Sequence, residues 1–302
     1  MAAERDRPRL LALARSPFLS ARERILVAGA SDAPLRELEL GDLEAICGRR
    51  LRGVRWEPAE LEREAERDSR WMERAGVRAV SYFDEAYPPL LRETARPPFM
   101  LYARGRLPDP ERPALAVVGT RYPTGRGLSV AAAIAREAAR GGVPVVSGLA
   151  RGVDGAAHRG ALDGAGQTVA VLGRGIDGVY PPSHRDLARR ILEAGGGLVS
   201  EYPPGIGPTR WTFPERNRII AGLCRAALVV EAPTGSGALI TAGFALEEGR
   251  DVYVAAACLG GPRSAGADAL AADGARAVLS FDEIFADWAG LACPAAYTGQ
   301  GV

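Results

Sequence analysis

The sequence predicts an α/β protein in which a doubly wound, mostly parallel sheet follows a small all-helical region. Beyond residue 100, short apolar runs alternate with Ala-rich stretches of about 10–15 residues, the texture of βαβ units. The runs are nearly continuous in apolar residues, as strands covered on both faces are. Glycines and arginines gather just after them, where a parallel sheet presents the carboxyl ends of its strands to a ligand.

Taken in order, the first 80 residues read as short helices built on Leu10–Leu13, Ile25–Val27, Leu35–Leu40 and Leu43–Cys47. Glu57–Arg74 interleaves Glu and Arg at helical spacing, which predicts a helix with a solvated charged face. Pro88-Pro89 and Pro97-Pro98 bracket a stretch where helix cannot persist. A helical domain over 1–85 and a sheet domain over 86–288 follow, with 289–302 expected as a flexible tail.

Within the second domain the predicted strands are Ala114–Val118, Val143–Ser147, Thr168–Leu172, Gly197–Ser200, Ala227–Glu231 and Asp251–Ala255. The helices expected between and after them are Arg126–Arg140, Asp154–Asp163, His184–Ala194, Asn217–Leu223, Ser236–Glu248 and Gly266–Asp273.

Composition narrows the class. At 302 residues, with 47% hydrophobic and 25% charged, the chain has material for a sizeable core, and neither disorder nor a fibrous repeat fits. No apolar run approaches the roughly 18 residues of a membrane span. Leu10–Ala14 is too short for a signal peptide, so the expected location is the cytoplasm. Cys47, Cys224, Cys258 and Cys293 are scattered and there are only two histidines, so neither a metal site nor a cofactor is expected.

The net charge of +1 hides an asymmetry. Residues 101–225 hold 17 Arg against 10 acids, whereas 226–302 hold 3 Arg against 9. The chain has no lysine, so every cation is a guanidinium that can grip phosphate bidentately or stack on a base.

The strand ends supply the candidate site. Gly119-Thr120-Arg121 follows the first strand and leads through Pro123-Thr-Gly-Arg126 into a helix, an arrangement suited to phosphate or to a simple tight turn. Ser147-Gly148-Leu-Ala-Arg151-Gly152 follows the second, with Asp154 placed to cap the next helix. His158 lies one turn on, with no Ser or Cys nucleophile in register, and reads as a packing or hydrogen-bonding residue. Arg174 follows the third strand, on Gly173-Arg-Gly175. Densest is Trp211-Thr-Phe213-Pro-Glu-Arg216-Asn217-Arg218, which offers rings for bases, guanidinium for phosphate and an amide for a base edge. The same composition also suits a helix start with core aromatics.

These motifs resemble the DNA-processing protein A family (DprA/Smf). The resemblance rests on Val118-Gly-Thr-Arg121, Val146 through Asp154 with Ala156-Ala-His158, Ala170-Val-Leu-Gly173 with Val179-Tyr-Pro-Pro182, Ser200-Glu-Tyr-Pro-Pro-Gly205, Phe213 through Gly222, and Ser236-Gly-Ala-Leu-Ile-Thr241. It implies an extended Rossmann domain, without enzymatic activity, that binds single-stranded DNA. It further implies a homodimer that loads the RecA recombinase onto DNA, displacing single-strand-binding protein, in natural transformation. Carried over, the family's DNA pocket falls on Arg121, Arg151, Phe213, Arg216, Asn217 and Arg218. The chain departs from the family pattern at Ala255-Ala-Ala257 and Asp268. No winged helix is expected after the sheet domain, and the N-terminal helices lie where the family has a SAM-like domain, although no helix-hairpin-helix glycine pattern is seen there.

A different class of function stays open beside this. Pro233-Thr-Gly-Ser-Gly237 faintly matches the phosphate loop of nucleotide phosphoribohydrolases, which predicts instead a small-nucleotide enzyme or sensor. A scaffold using the acidic 226–302 segment for protein contact is the third reading.

Overall fold

The computed structural model describes residues 7–288. The chain begins with α1 (Arg7–Ala14), α2 (Ala21–Ala30), α3 (Leu40–Cys47) and α4 (Pro58–Ala75). Ser20 and Glu23 form a reciprocal capping box at the start of α2. Helix α4 opens with Pro at its first position and stops at Gly76, which adopts φ 62°. It buries Leu61, Ala65, Asp68 and Met72, spaced by three or four residues, and turns its Glu/Arg face to solvent as the spacing predicted.

Next come β1 (Val77–Ser81), α5 (Pro89–Arg92), β2 (Met100–Gly105), β3 (Leu115–Val118), α6 (Gly125–Arg140), β4 (Val145–Ser147), α7 (Val153–Asp163) and β5 (Thr168–Val171). They are followed by α8 (Arg185–Glu193), β6 (Gly197–Ser200), α9 (Thr212–Gly222), β7 (Ala226–Val229), α10 (Gly237–Glu247), β8 (Asp251–Ala255), α11 (Ala265–Ala272), β9 (Arg276–Val278) and α12 (Phe281–Asp287). The six predicted strands and six predicted helices all form, with shifted ends. Helix α9 starts five residues earlier than predicted, at Thr212, and so takes in Phe213 and Arg216.

Among the described residues the strands make one nine-stranded sheet in the order β1-β2-β6-β5-β4-β3-β7-β8-β9. From β6 to β9 neighbouring strands are parallel, while β1 pairs antiparallel with β2 and β2 with β6. Strand β1 corrects the all-helical reading of residues 1–85. Val77–Ser81 is a strand whose short, mixed sequence carries no strong period, and it pairs with β2 across the expected boundary. The expected tail, 289–302, lies outside the described residues.

Period-two alternation places both faces of the sheet in core. Along β3, Leu115 and Val117 join Ile134 and Ala138 of α6 on one face, while Ala116 and Val118 join Ile219 and Ala242 on the other. The N-terminal helices share a core with the sheet: Leu10, Leu13, Leu43 and Met72 pack in one buried cluster with Tyr102, Leu172 and Leu198. Polar contact adds to this attachment. Arg15, after α1, donates to Asp68 of α4 at 2.6 and 2.7 Å and to the Pro204 carbonyl beyond β6 at 2.8 Å.

The winding runs outward from β3 to β4, β5 and β6, then returns to the other side of β3 for β7 and β8. The switch point therefore lies between β3 and β7, whose following helices α6 and α10 pack on opposite faces of the sheet and leave a crevice between their connections.

Candidate nucleic-acid interface

The crevice is built from loops that tie one another in place. At the end of β3 the Thr120 amide donates to the Glu231 carbonyl at 2.7 Å, bridging to the chain just after β7. The buried Glu231 carboxylate accepts from the Thr124 amide at 2.8 Å and its hydroxyl at 2.5 Å, and the same hydroxyl accepts from the Gly127 amide to cap α6. Arg121 and Tyr122 project between these anchors.

The loop after β4 is stitched alongside. Val153 donates its amide to the Thr120 carbonyl at 3.2 Å, and Gly152 makes that approach possible with φ 79° and no Cβ to strike the Thr120 and Arg121 backbone. The Ser147 hydroxyl donates inward to the Val117 carbonyl at 2.7 Å. Asp154 accepts from the Ala150 amide, fixing the start of α7. His158 is buried, its Nδ1 2.7 Å from the Thr168 hydroxyl, and burial pushes its pKa down to about 3. It is a neutral core residue, as its lone placement predicted.

Arg216 holds α9 to the sheet. Its guanidinium donates to the Gly148 carbonyl at 2.7 Å, to the Val171 carbonyl, and to the Asn217 side-chain oxygen at 3.2 Å. Asn217 in turn donates to the Gly237 carbonyl at the start of α10. Burial pushes the Arg216 pKa down to about 10, and burial likewise raises that of Asp154, with the attraction between the two opposing both shifts. Arg218 is also buried and pairs with Glu201 and, at 3.2 Å, with Glu215. Arg216 and Arg218 thus direct these hydrogen bonds into the protein, although Arg216 also lines both cavities at the crevice and Nη1 of the buried Arg218 has no hydrogen-bond partner among the described residues.

The open part of the site lies around Phe213. Arg121 rests over the Phe213 ring with its central carbon 5.6 Å from the centroid, and the Tyr180 ring lies 5.4 Å away on a 46° tilt. Cavities of about 570 and 210 Å³ adjoin here and share Arg121, Tyr122, Ala150, Phe213 and Arg216 as walls. The larger lies at the switch point, between the β3 end and the Pro233–Thr241 segment; Arg151 lines the smaller. Arg121, Arg151 and Arg210 are exposed and have no carboxylate partner among the described residues.

Of the residues singled out from sequence, Gly119, Thr120, Arg121, Gly148, Arg151, Phe213, Arg216 and Asn217 converge on these two cavities. Ser147, Gly152 and Arg218 sit behind the walls as supports. Arg174 is not brought in: its guanidinium folds against Gly178 of its own loop. Asp268 turns to the Gly260 amide and the Ser264 hydroxyl, away from both cavities. Tyr122, Tyr180 and Arg210 line the cavities without having been selected, and the Thr234–Ser236 turn, which the sequence offers only to the small-nucleotide reading, lines the larger one.

Among the described residues no cluster of His, Cys, Asp and Glu could hold a metal, and no helix is long and apolar enough to cross a membrane.

Comparison with known proteins places the chain. Residues 78–289 match the family model of DNA recombination-mediator protein A. Protein Smf of Escherichia coli is 42% identical over 214 residues, 71% of this chain and 57% of that protein, and the DNA processing protein DprA of Streptococcus pneumoniae is 37% identical over 255 residues, 84% of this chain and 88% of that one. Against its E. coli and Synechocystis relatives the chain spans 57% and 44% of their length. The solved structure of DNA processing protein A from S. pneumoniae superposes with TM-score 0.76 at 33% identity, covering 93% of this chain and 97% of that one. The Helicobacter pylori protein, solved in a study of its single-stranded DNA binding mode, superposes with TM-score 0.63 at 26% identity over 70% and 95%. The chain belongs to the DNA recombination-mediator protein A family.

Proposed function

We propose that this protein binds single-stranded DNA in the switch-point crevice and acts in DNA processing, without catalysis of its own, as a mediator that passes the strand to a RecA-type recombinase. The observation that carries this is the stacked pair of Arg121 and Phe213 between two open cavities, which joins a permanent cation to a ring that can receive a base. The DNA-binding description of the H. pylori relative and the recombination-mediator description of the family support the same reading. Direct contacts fall to Arg121, Arg151 and Phe213, while Gly119, Thr120 and Gly148 shape the walls, the Thr120 amide being spent on the Glu231 carbonyl and that of Gly148 on Asp154. Arg216, Asn217 and Arg218 act by holding α9 and its Phe213 in register.

The nucleotide-hydrolase reading fits less well. Asp154 is the carboxylate lining the larger cavity, and it is engaged with the Ala150 amide and set against Arg216 rather than free at a ribose.

A cytoplasmic homodimer completes the proposal. The sheet ends at the short edge strand β9, and Leu279 beside it is exposed, which suits pairing with a second copy. The recombinase contact is assigned to the acidic C-terminal segment, 226–302, where Leu246 and Glu247 are exposed.

Gel shifts with labelled oligo-dT, competed by duplex, test the DNA reading, which fails if duplex competes as well as single strand. Adding RecA and single-strand-binding protein tests the handover. Filament formation should speed up with the wild type and not with a Glu247→Arg variant that still binds DNA.

A further inference from the structure

The crevice does not account for two rings at its edge. Trp211 is 69% exposed and Tyr122 is 71% exposed. Single exposed aromatics are ordinary on a protein surface. These two are tied to one site: Tyr122 lines both cavities, and Trp211 carries on its ring, 4.5 Å from the centroid, the guanidinium of the cavity-lining Arg210.

Their backbones are held in the same way. The Tyr122 amide donates to the Thr120 hydroxyl at 3.2 Å, and the Trp211 amide to the Thr209 hydroxyl at 3.3 Å. Thr212 next to it donates its own hydroxyl to the Gly173 carbonyl at 2.6 Å. Each ring is therefore presented on a fixed turn, and docking a flat partner on it costs little ordering entropy. Neither ring contacts another aromatic ring among the described residues, unlike Phe213 and Tyr180. Nearby, Arg121, Arg151 and Arg210 offer positive charge to whatever covers the rings.

We infer that Tyr122 and Trp211 form an outer stacking subsite for unpaired nucleobases, so that a strand seated at Phe213 continues over the rim of the crevice onto these rings. This rests on the single-strand reading above and adds to it a footprint longer than the crevice. Rings with interleaved guanidinium groups take bases with little regard to sequence, because every base has a stacking face.

The test is a comparison of strand lengths in wild type, Phe213→Ala, and a double variant of Tyr122→Ala with Trp211→Ala, whose exposed positions should leave the melting temperature unchanged. A thymidine dinucleotide should bind the wild type and Trp211→Ala alike, because Trp211 lines neither cavity. Oligo-dT of about 12 nucleotides should bind the double variant more weakly by about 5- to 150-fold for each ring lost, the range that one stacked base contributes. Indole emission should be quenched by the long oligonucleotide and not by the dinucleotide, and Trp211→Phe should abolish that quenching. Unchanged affinity of the long strand for the double variant, with Phe213→Ala still weakened, overturns the outer subsite and leaves the crevice reading intact. Failure of the wild type to bind any single strand overturns both.

Discussion

The guanidinium of Arg121 lies over the ring of Phe213, 5.6 Å from its centroid, although one residue ends a strand turn and the other begins a helix 92 positions later. The contact joins the two halves of the winding at the point where they diverge. It also pairs a side chain that attracts phosphate with one that attracts a base, and the two attractions respond differently to salt.

Arg121→Ala should weaken single-strand binding for all sequences alike. Each phosphate neutralised on a single strand contributes about 0.7 to the logarithmic salt slope, so the variant's slope should be shallower by about that amount. Because Arg121 is exposed and bears no ion pair, the melting temperature should hold. An unaltered slope removes Arg121 from phosphate contact.

Phe213→Ala should lose about 1–3 kcal/mol of binding while keeping the wild-type slope. The ring is only half-buried, so the accompanying loss of stability should fall short of the roughly 3–5 kcal/mol of a core aromatic truncation. A full core-sized loss of stability, with binding that merely follows unfolding, makes Phe213 structural. Combined with Arg121→Ala, the two effects should be less than additive, because each residue fixes the other's position.

Arg218 behaves as a third kind of residue. With Glu201 and Glu215 as partners and its side chain buried, its removal leaves Glu201 in a poorly solvated position without its cation. Arg218→Ala should therefore cost about 3 kcal/mol or more of stability, read from urea midpoints, and leave the salt slope of the folded fraction unchanged. A shallower slope would return Arg218 to the DNA contacts.

The contrast between Arg121 and Arg218 marks how far sequence could go. Both were legible as guanidinium groups at the ends of apolar runs, and the parallel sheet was legible because its central strands are apolar on both faces. Which arginine faces solvent depends on where Glu201 lies, and that is fixed by β6 pairing with β5 and β2, a non-local fact. Strands β1 and β2 escaped for a related reason: the antiparallel pair is short, and β2 lies between proline-rich stretches that read as a linker. Tyr122 was passed over because exposure, its one distinguishing property, has no sequence signature.

Two glycines near the site should respond with opposite signs. At Gly152 a Cβ would meet the Thr120 and Arg121 backbone in a φ 79° conformation, so Gly152→Ala should destabilise by more than the roughly 1 kcal/mol of the dihedral alone and should disturb Arg121. At Gly125, the first residue of α6, nothing lies within 4 Å of a Cβ and φ is not positive. Gly125→Ala should stabilise by about 0.4–1 kcal/mol. Thermal melts of the two variants check the pair, and destabilisation at Gly125 would contradict the open space seen there.

The pH dependence of stability should carry the mark of His158. Its imidazole is buried against Thr168, and burial holds its pKa in the folded protein at about 3, against about 6.5 when unfolded. Between those values the unfolded chain takes up a proton that the folded protein refuses. Stability from this group is therefore complete above pH 6.5 and is lost progressively as pH falls towards 3. From pH 7 to pH 5 the loss should be about 2 kcal/mol, set by the unfolded value while the folded pKa stays well below 5. A His158→Gln variant lacks the titrating ring, so its urea midpoint should fall less over the same interval, even if the variant is less stable at pH 7. Equal pH sensitivity in the two proteins would mean that His158 is protonated in the folded state at pH 5, and that the site-bearing start of α7 does not rest on a neutral imidazole.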